Sequence, residues 1–106
     1  MAQFDVHRNS GKQRESIPYV VVVQSAIFDG YDRRVVVPLV KESELSSEAH
    51  PRLNPKFRIR DETVALHPLQ IVSVPKRQLG DPVDSLAAQS DRIVAALDEL
   101  LSRAWG

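Results

Sequence analysis

Hydrophobic and polar positions alternate in short segments along the first three quarters of this chain. In residues 3–7, Phe4 and Val6 fall on one side and polar side chains fall on the other. Such alternation is typical of a half-buried β-strand. The apolar runs in residues 17–25 and 34–40 predict two further strands, and the first of these is apolar on both faces, as in a strand covered on both sides.

The following segments predict a hairpin and a last strand. Residues 56–67 alternate on either side of a turn at Asp61 and Glu62, and residues 69–77 form one more apolar run. Residues 41–55 are polar and are expected to hold one loose helical turn. Pro38 has no N–H to donate, so we expect its strand to meet an edge or a bulge there.

A helical spacing replaces the alternation after residue 80. Asp81 suits an N-cap and Pro82 the first helical position. One stripe then contains Leu86, Ile93, Leu97, Leu100, Leu101 and Ala104. The spacing predicts strands within residues 3–76 and a helix over about residues 82–105, of which the part from Val83 to Ala104 would be roughly 33 Å long at 1.5 Å per residue. That length exceeds what one small sheet covers. The order of elements predicts an α+β fold, a small antiparallel barrel or sheet with a C-terminal α-helix.

The composition narrows the class of protein. We expect a single domain over residues 1–106. Lys plus Arg and Asp plus Glu are 14 each, so the net charge is zero, which argues against a protein that coats nucleic acid. The absence of cysteine excludes disulfides and thiolate zinc sites. The N-terminal residues resemble no signal peptide and no apolar run is long enough for a membrane span, so we expect a cytoplasmic protein without direct membrane binding.

The search for catalytic residues finds no convergent set. No phosphate-binding glycine loop and no Gly-x-Ser-x-Gly motif is present, and the three histidines lack metal-ligand spacing. His7 and His67 are expected at solvated strand ends. The segment Asp32–Arg34 is interpreted as a solvated strand entrance, with a small basic patch as the alternative. We therefore expect no enzyme activity, no cofactor and no metal, and a protein that acts by binding.

The single tryptophan, Trp105, is the second-last residue of the sequence. Leu97, Leu101 and Trp105 share a helix face, so the indole has three possible roles: it covers the core, it contacts a dimer partner, or it contacts another protein. Spacing alone leaves all three open.

Several motifs, in their order along the chain, resemble the CcdB family. These are QF-V at residues 3–6, V-VQS-I-D at 21–29, R-V-PL at 34–39, L-P---I-DE at 53–62, SVP at 73–75 and a closing WG at 105–106. The resemblance spans residues 3–106. It implies a homodimer with an SH3-like barrel and a toxin of a type II toxin–antitoxin system. Such a toxin binds the A subunit of DNA gyrase and traps the cleaved-DNA complex.

The same resemblance implies which residues carry the activity. The family contacts gyrase through a terminal Trp-Gly-Ile, so Trp105 and Gly106, with Ala104 before them, are the expected gyrase-binding residues. The terminal isoleucine is absent and Ala104 is small where the family is often bulky, so we expect a smaller apolar contact. The helix face of Leu97, Leu101 and Trp105 is the expected dimer interface.

A CcdA-like antitoxin is the other implied partner, and it neutralises such toxins through a disordered tail. Contact with DNA then occurs only through the autorepressing toxin–antitoxin complex. An acidic or amphipathic tail would bind basic and apolar surface. On charge alone, the candidate antitoxin-binding residues are Arg8, Lys12, Arg14, Lys56, Arg58 and Arg60.

Two alternatives to a gyrase poison follow from the same fold class. A ribonuclease toxin that cleaves messenger RNA has the same barrel, and its acid–base set would come from Arg58, Arg60, Asp61 and His67. An inert interaction module is the second alternative. Growth arrest on expression distinguishes it from both toxins.

Overall fold

The structure, a computed structural model, describes residues 2–45 and 49–101. In this part of the chain it contains seven β-strands and one α-helix. They are β1 (Asp5–Arg8), β2 (Tyr19–Val22), β3 (Arg33–Lys41), β4 (Lys56–Ile59), β5 (Glu62–Leu66), β6 (Val72–Pro75), β7 (Asp84–Ser85) and α1 (Ser90–Leu101). Short 3₁₀ turns lie at Ala26–Phe28, Glu42–Glu44, Pro68–Gln70, Lys76–Gln78 and Ala87–Gln89.

The strands form one antiparallel, nearly closed sheet in the order β4-β5-β3-β2-β1-β7. Strand β3 has nine residues, which is long enough to pair with β2 along one side and with both β6 and β5 along the other. The short strands before it and after it are thereby joined into a single curved layer. The predicted α+β fold, a small antiparallel barrel with a C-terminal helix, is confirmed.

Successive side chains of β2 and β3 point to opposite faces of the sheet, and other residues pack against both faces. One face, with α1 packed on it, carries the main core: Val6, Tyr19, Val21, Val37, Leu39, Phe57, Ile59, Val64, Leu66, Leu86, Ile93 and Ala96. The opposite face carries a smaller cluster in which Val20 and Val74 pack against Val22, Val36 and Leu79. The prediction that the second strand is covered on both sides is confirmed.

Pro38 lies in the middle of β3, where a missing N–H would normally cost a ladder bond. On the side away from β2, the partner of β3 changes there from β6, which ends at Val36, to β5, which begins at Leu39. The Pro38 carbonyl accepts from the His67 backbone N–H at 3.0 Å. The proline therefore occupies a gap between two partner strands, as its sequence position predicted.

The start of the C-terminal helix differs from the prediction. Residues 82–89 are not α-helical: Asp84 and Ser85 pair with β1, and α1 begins only at Ser90. The N–H of Val83 donates to the Val6 carbonyl at 2.8 Å, and the N–H of Leu86 donates to the Phe4 carbonyl at 2.9 Å. These bonds to the free edge of β1 replace the first two turns of helix. Strands therefore extend past residue 76.

The described part of α1 has 12 residues and is about 18 Å long. The predicted helix end near residue 105 lies outside the described residues.

Arg92 fastens the first turn of α1 to the sheet. Its guanidinium lies 4.5 Å from the centre of the Phe57 ring, and its Nη2 donates to the Lys56 carbonyl at 2.8 Å. Its Nη1 donates to Gln89 Oε1 at 2.7 Å. A cation over an aromatic face and two hydrogen bonds thus fix the helix where the 3₁₀ turn ends.

His7 is buried completely, so the expectation of a solvated surface histidine was wrong. Its Nδ1 lies 2.8 Å from the Gly80 carbonyl, which requires a proton on Nδ1, while Nε2 has no hydrogen-bond partner in the described structure. The histidine holds the segment around Gly80 over the outer face of the sheet.

Candidate functional site

The C-terminal tip carries the main sequence prediction. Ala104, Trp105 and Gly106 all lie outside the described residues, so their role remains a prediction. The described helix ends at Leu101, which is 73% exposed, and Val94 is also exposed on the same helix. Leu97 packs partly against the core. An apolar stripe of Val94, Leu97 and Leu101 therefore lies on α1, but Leu97 is divided between this stripe and the core.

A second exposed apolar surface lies between β2 and β3, in residues 25–32, which we call the apolar loop. Ile27 is 82% exposed, Tyr31 is 67% exposed and Phe28 is also exposed. The rings of Phe28 and Tyr31 meet edge to face with their centres 6.2 Å apart. Three large apolar side chains on one loop form a patch of the kind that binds another protein.

The apolar loop is closed at its base by Gln24. Its side-chain amide donates to the carbonyls of Phe28 and Arg33 at 3.1 and 3.2 Å, and its Oε1 accepts from the Val35 N–H at 3.0 Å. Next to Gln24 in the sequence, the Ser25 hydroxyl accepts from the Ile27 N–H at 3.4 Å and caps the 3₁₀ turn. One glutamine thus ties together the two strands from which the loop leaves.

Arg34 supports the apolar loop from below and is only 5% exposed, so its interpretation as part of a solvated strand entrance was wrong. Its Nη1 donates to the carbonyls of Tyr31 and Arg33 at 2.7 and 2.8 Å, and its Nη2 donates to the Asp29 carbonyl at 2.9 Å. Its Nε makes no hydrogen bond in the described structure and lies 3.9 Å from Asp29 Oδ1, a long ion pair.

Three of the predicted antitoxin-binding residues lie beside a groove on the outer face of the sheet. Arg8, with its guanidinium 5.9 Å from the Tyr19 ring centre, lines the groove, and Lys12 and Arg14 flank Gln13, which also lines it. The groove has a cavity volume of about 620 Å³. The residues of β2, β3 and β6 that line it are apolar: Val20, Val36, Pro38, Val72 and Val74, with Ile17 and Leu79 beside them.

Lys76 and Arg77 directly precede Gln78 and Leu79, which line this groove, and the Gln78 carbonyl accepts from the Ser10 hydroxyl at 3.5 Å. The fold thus brings two basic segments, distant in sequence, to one apolar groove. We call it the basic-rimmed groove.

The other three predicted antitoxin-binding residues lie on β4 and its turn, away from this groove. Lys56 Nζ pairs with Glu42 Oε1 at 2.8 Å. Arg58 donates to the Asp61 carbonyl at 3.4 Å, and Arg60 donates to the Val83 carbonyl at 3.5 Å. Their charges are directed to the protein itself, and they do not join Arg8, Lys12 and Arg14 in one surface.

The proposed acid–base set of a ribonuclease is not assembled. Asp61 lies in the turn before β5 and His67 follows the end of β5, so the two are separated by the whole strand, about 20 Å at about 3.4 Å per residue. General acid–base catalysis needs its groups within hydrogen-bond reach of one substrate. The described residues also contain no cluster of three metal-binding side chains, and α1, the helix they contain, is too short and too polar to cross a membrane.

The sequence interpretation missed the apolar loop. The sequence analysis predicts no element for residues 26–31, although three large apolar residues in a six-residue segment that contains Asp29-Gly30 are unusual. Neither strand nor helix periodicity places those side chains in a core, and this was the available indication of an exposed surface. The burial of Arg34 had no such indication, because a charged residue at a strand start is normally solvated.

The comparison with known families agrees with the motifs. The family model described as CcdB protein matches residues 3–102, which is nearly the whole chain.

Proposed function

This chain belongs to the CcdB family, and on that premise we propose that it is the toxin of a type II toxin–antitoxin system. In this proposal it binds the A subunit of DNA gyrase and traps the cleaved-DNA complex. Poisoning of this kind needs no catalytic residue from the toxin. A ligand that prefers one conformation of an enzyme raises the population of that conformation through its differential affinity.

The observation that carries the proposal, besides the family, is the apolar loop. Ile27, Phe28 and Tyr31 are held outward on a loop that Gln24 and Arg34 tie down at several points. Tightly held, exposed apolar and aromatic side chains are typical of protein-binding surfaces, because little conformational entropy is lost when a partner covers them. We propose that this loop contacts gyrase together with the C-terminal Trp105 and Gly106.

An acidic residue in the apolar loop should weaken the complex with gyrase. For Ile27→Asp we expect a dissociation constant at least 30-fold higher, since an unpaired carboxylate would be desolvated at the contact at a cost of about 2 kcal/mol or more. The measurement is the affinity of the purified toxin for intact DNA gyrase, with accumulation of cleaved plasmid DNA as the functional readout.

Leu69→Asp is the matched control. Leu69 is as exposed as Tyr31, but it lies in the 3₁₀ turn Pro68–Gln70, on a different loop. It should leave affinity for gyrase within about twofold. A loss of affinity in Leu69→Asp with none in Ile27→Asp would move the target contact away from the apolar loop.

The basic-rimmed groove is the proposed antitoxin site. A disordered acidic tail of a CcdA-like antitoxin would place apolar side chains on the apolar residues of the groove and carboxylates against Arg8, Lys12 and Arg14. This arrangement combines apolar and basic surface in one place. Lys56 lines a separate cavity with Leu45 and Pro55, but its ammonium is paired there with Glu42, which favours the Arg8–Arg14 loop.

Charge reversal separates these two basic regions. We expect Lys12→Glu with Arg14→Glu to raise the dissociation constant of the antitoxin complex at least 10-fold at low salt and less at high salt, because exposed charges are screened. Arg58→Glu with Arg60→Glu should leave it unchanged. Titration of purified toxin with the antitoxin at two salt concentrations measures both. The reverse ranking of the two pairs would assign the antitoxin to β4.

Further elements of the proposal rest on the family. We propose a homodimer in the cytoplasm, with the helix face of Leu97 and Leu101 at the dimer interface and Trp105 of each protomer left accessible to gyrase. Two C-terminal tips would then meet a two-fold symmetric target, and the second contact would gain from effective concentration. DNA would be contacted only through the antitoxin complex.

A further inference from the structure

Arg34 is a buried cation behind an exposed binding loop, and we propose that it is a positioning residue that holds the apolar loop in the conformation the partner binds. The inference rests on the proposed function, in which Ile27 and its neighbours contact gyrase. Arg34 itself would not touch the partner, since its side chain lies under the loop and not at its surface.

The hydrogen-bond pattern of Arg34 favours this role. Its two terminal nitrogens donate to the carbonyls of residues 29, 31 and 33, which are every second residue of the returning arm of the loop. The N–H donors of a planar guanidinium point in fixed directions. Three backbone carbonyls bound to one guanidinium therefore hold this part of the loop in one curved conformation. Tyr31 and Phe28, whose rings contact each other, are therefore oriented by the same cation.

Burial makes this support effective. Arg34 is shielded from water, so opening the loop would leave its cation buried without hydrogen-bond partners. Removal of the side chain would leave the loop carbonyls without their donors. Gly30 lies at the tip of the loop, where a chain without such support would sample many conformations. Only a fraction of the molecules would then have the loop conformation that the partner binds. The apparent affinity would be the intrinsic affinity multiplied by that fraction.

The neighbouring residue supplies a matched control. Arg33 is also an arginine on β3, but it points outward and donates from Nε and Nη2 to the hydroxyl and carbonyl of Ser73, both at 2.8 Å. Its side chain supports β6 and not the apolar loop. Arg33→Met and Arg34→Met thus remove the same chemistry from adjacent positions with different functions.

The experiment compares these two variants with Ile27→Asp. Amide hydrogen exchange of the full-length protein is measured over residues 26–33, and association and dissociation rates with intact DNA gyrase are measured separately. For Arg34→Met we expect at least tenfold faster exchange at residues 28–33 and at least tenfold weaker binding, mainly through slower association. Arg33→Met should bind within twofold of wild type. If Arg34→Met fails to fold, Arg34→Lys, which keeps a cation but not the planar guanidinium, carries the same test.

A rescue variant distinguishes positioning from general stability. Gly30 has a φ outside the left-handed region, and a Cβ placed on it would have no atom within 4 Å. Gly30→Ala therefore restricts the loop without a clash. Added to Arg34→Met, it should restore part of both the exchange protection and the association rate.

Three results would overturn the inference. Unchanged exchange in Arg34→Met would show that the cation does not hold the loop. Faster exchange with wild-type affinity, while Ile27→Asp binds weakly, would show that the loop conformation does not matter. If Gly30→Ala restores exchange protection to Arg34→Met but no affinity, the loop conformation again does not control binding. If Ile27→Asp itself binds as wild type, the proposed gyrase contact fails, and that failure is recognisable from the Ile27 variant alone.

Discussion

Replacing Trp105 with alanine is expected to abolish trapping of cleaved DNA by gyrase while leaving the fold intact. Truncation of a central tryptophan in an interface costs about 2–4 kcal/mol, which is about 30- to 1,000-fold in affinity. If α1 continues to Trp105, as the sequence predicts, the unpaired carbonyls of the helix C-terminus would place about half a negative charge beside the indole. An arginine of the target would then find an indole to stack on beside an anionic group, a combination that suits its planar cation.

Three measurements make this result specific. Cleaved-DNA complexes formed by intact gyrase report the activity, growth arrest reports it in cells, and thermal unfolding reports the fold. If Trp105 instead covers its own core, the variant should lose about 3–5 kcal/mol of unfolding free energy. Trp105→Phe, which keeps an aromatic face, should retain part of the activity. Undiminished trapping of cleaved DNA by Trp105→Ala would rule out the tryptophan as the gyrase contact.

Ile93→Ala is expected to have the largest effect on stability. Ile93 is fully buried between α1 and the sheet, where deletion of its side-chain carbons leaves a cavity. Such a truncation costs about 2–5 kcal/mol, a large share of the roughly 5–15 kcal/mol that stabilises a small domain. Chemical denaturation with two spectroscopic probes gives the change in unfolding free energy, and each kcal/mol should lower Tm by about 4–8 °C.

Ile27→Ala is the control for this prediction, because it deletes the same atoms from an exposed position. Its unfolding free energy should change by about 0.5 kcal/mol or less. The binding assay should show the opposite order of effects. Folded Ile93→Ala should bind gyrase with normal affinity, and Ile27→Ala should bind it more weakly. Equal losses of stability in both would mean that Ile93 does not anchor the helix to the sheet.

The sequence alone was sufficient for the family, for six of the strands along the chain and for the hairpin. Alternation in β4 and β5 and the apolar runs of β2 and β3 predict strands from the sequence alone, because successive strand residues point to opposite faces whatever the neighbours are. Pro38 indicated a break in pairing for a similarly local reason, since a residue without an N–H cannot occupy a continuous ladder. The match of residues 3–102 to the CcdB family agrees with motifs that are readable in order along the chain.

Only the tertiary structure decided how residues 82–89 and Arg34 are used. The segment from Asp81 onward has a good helix start by local rules, yet Val83 and Leu86 hydrogen-bond to residues 6 and 4, more than 70 positions earlier. Leu86 is buried in the core although it lies outside the α-helix, so its apolar character does not distinguish a helical from a non-helical backbone. Arg34 is buried because carbonyls of a loop close over it. Both outcomes depend on partners that become neighbours only when the chain has folded, which no local pattern of residues contains.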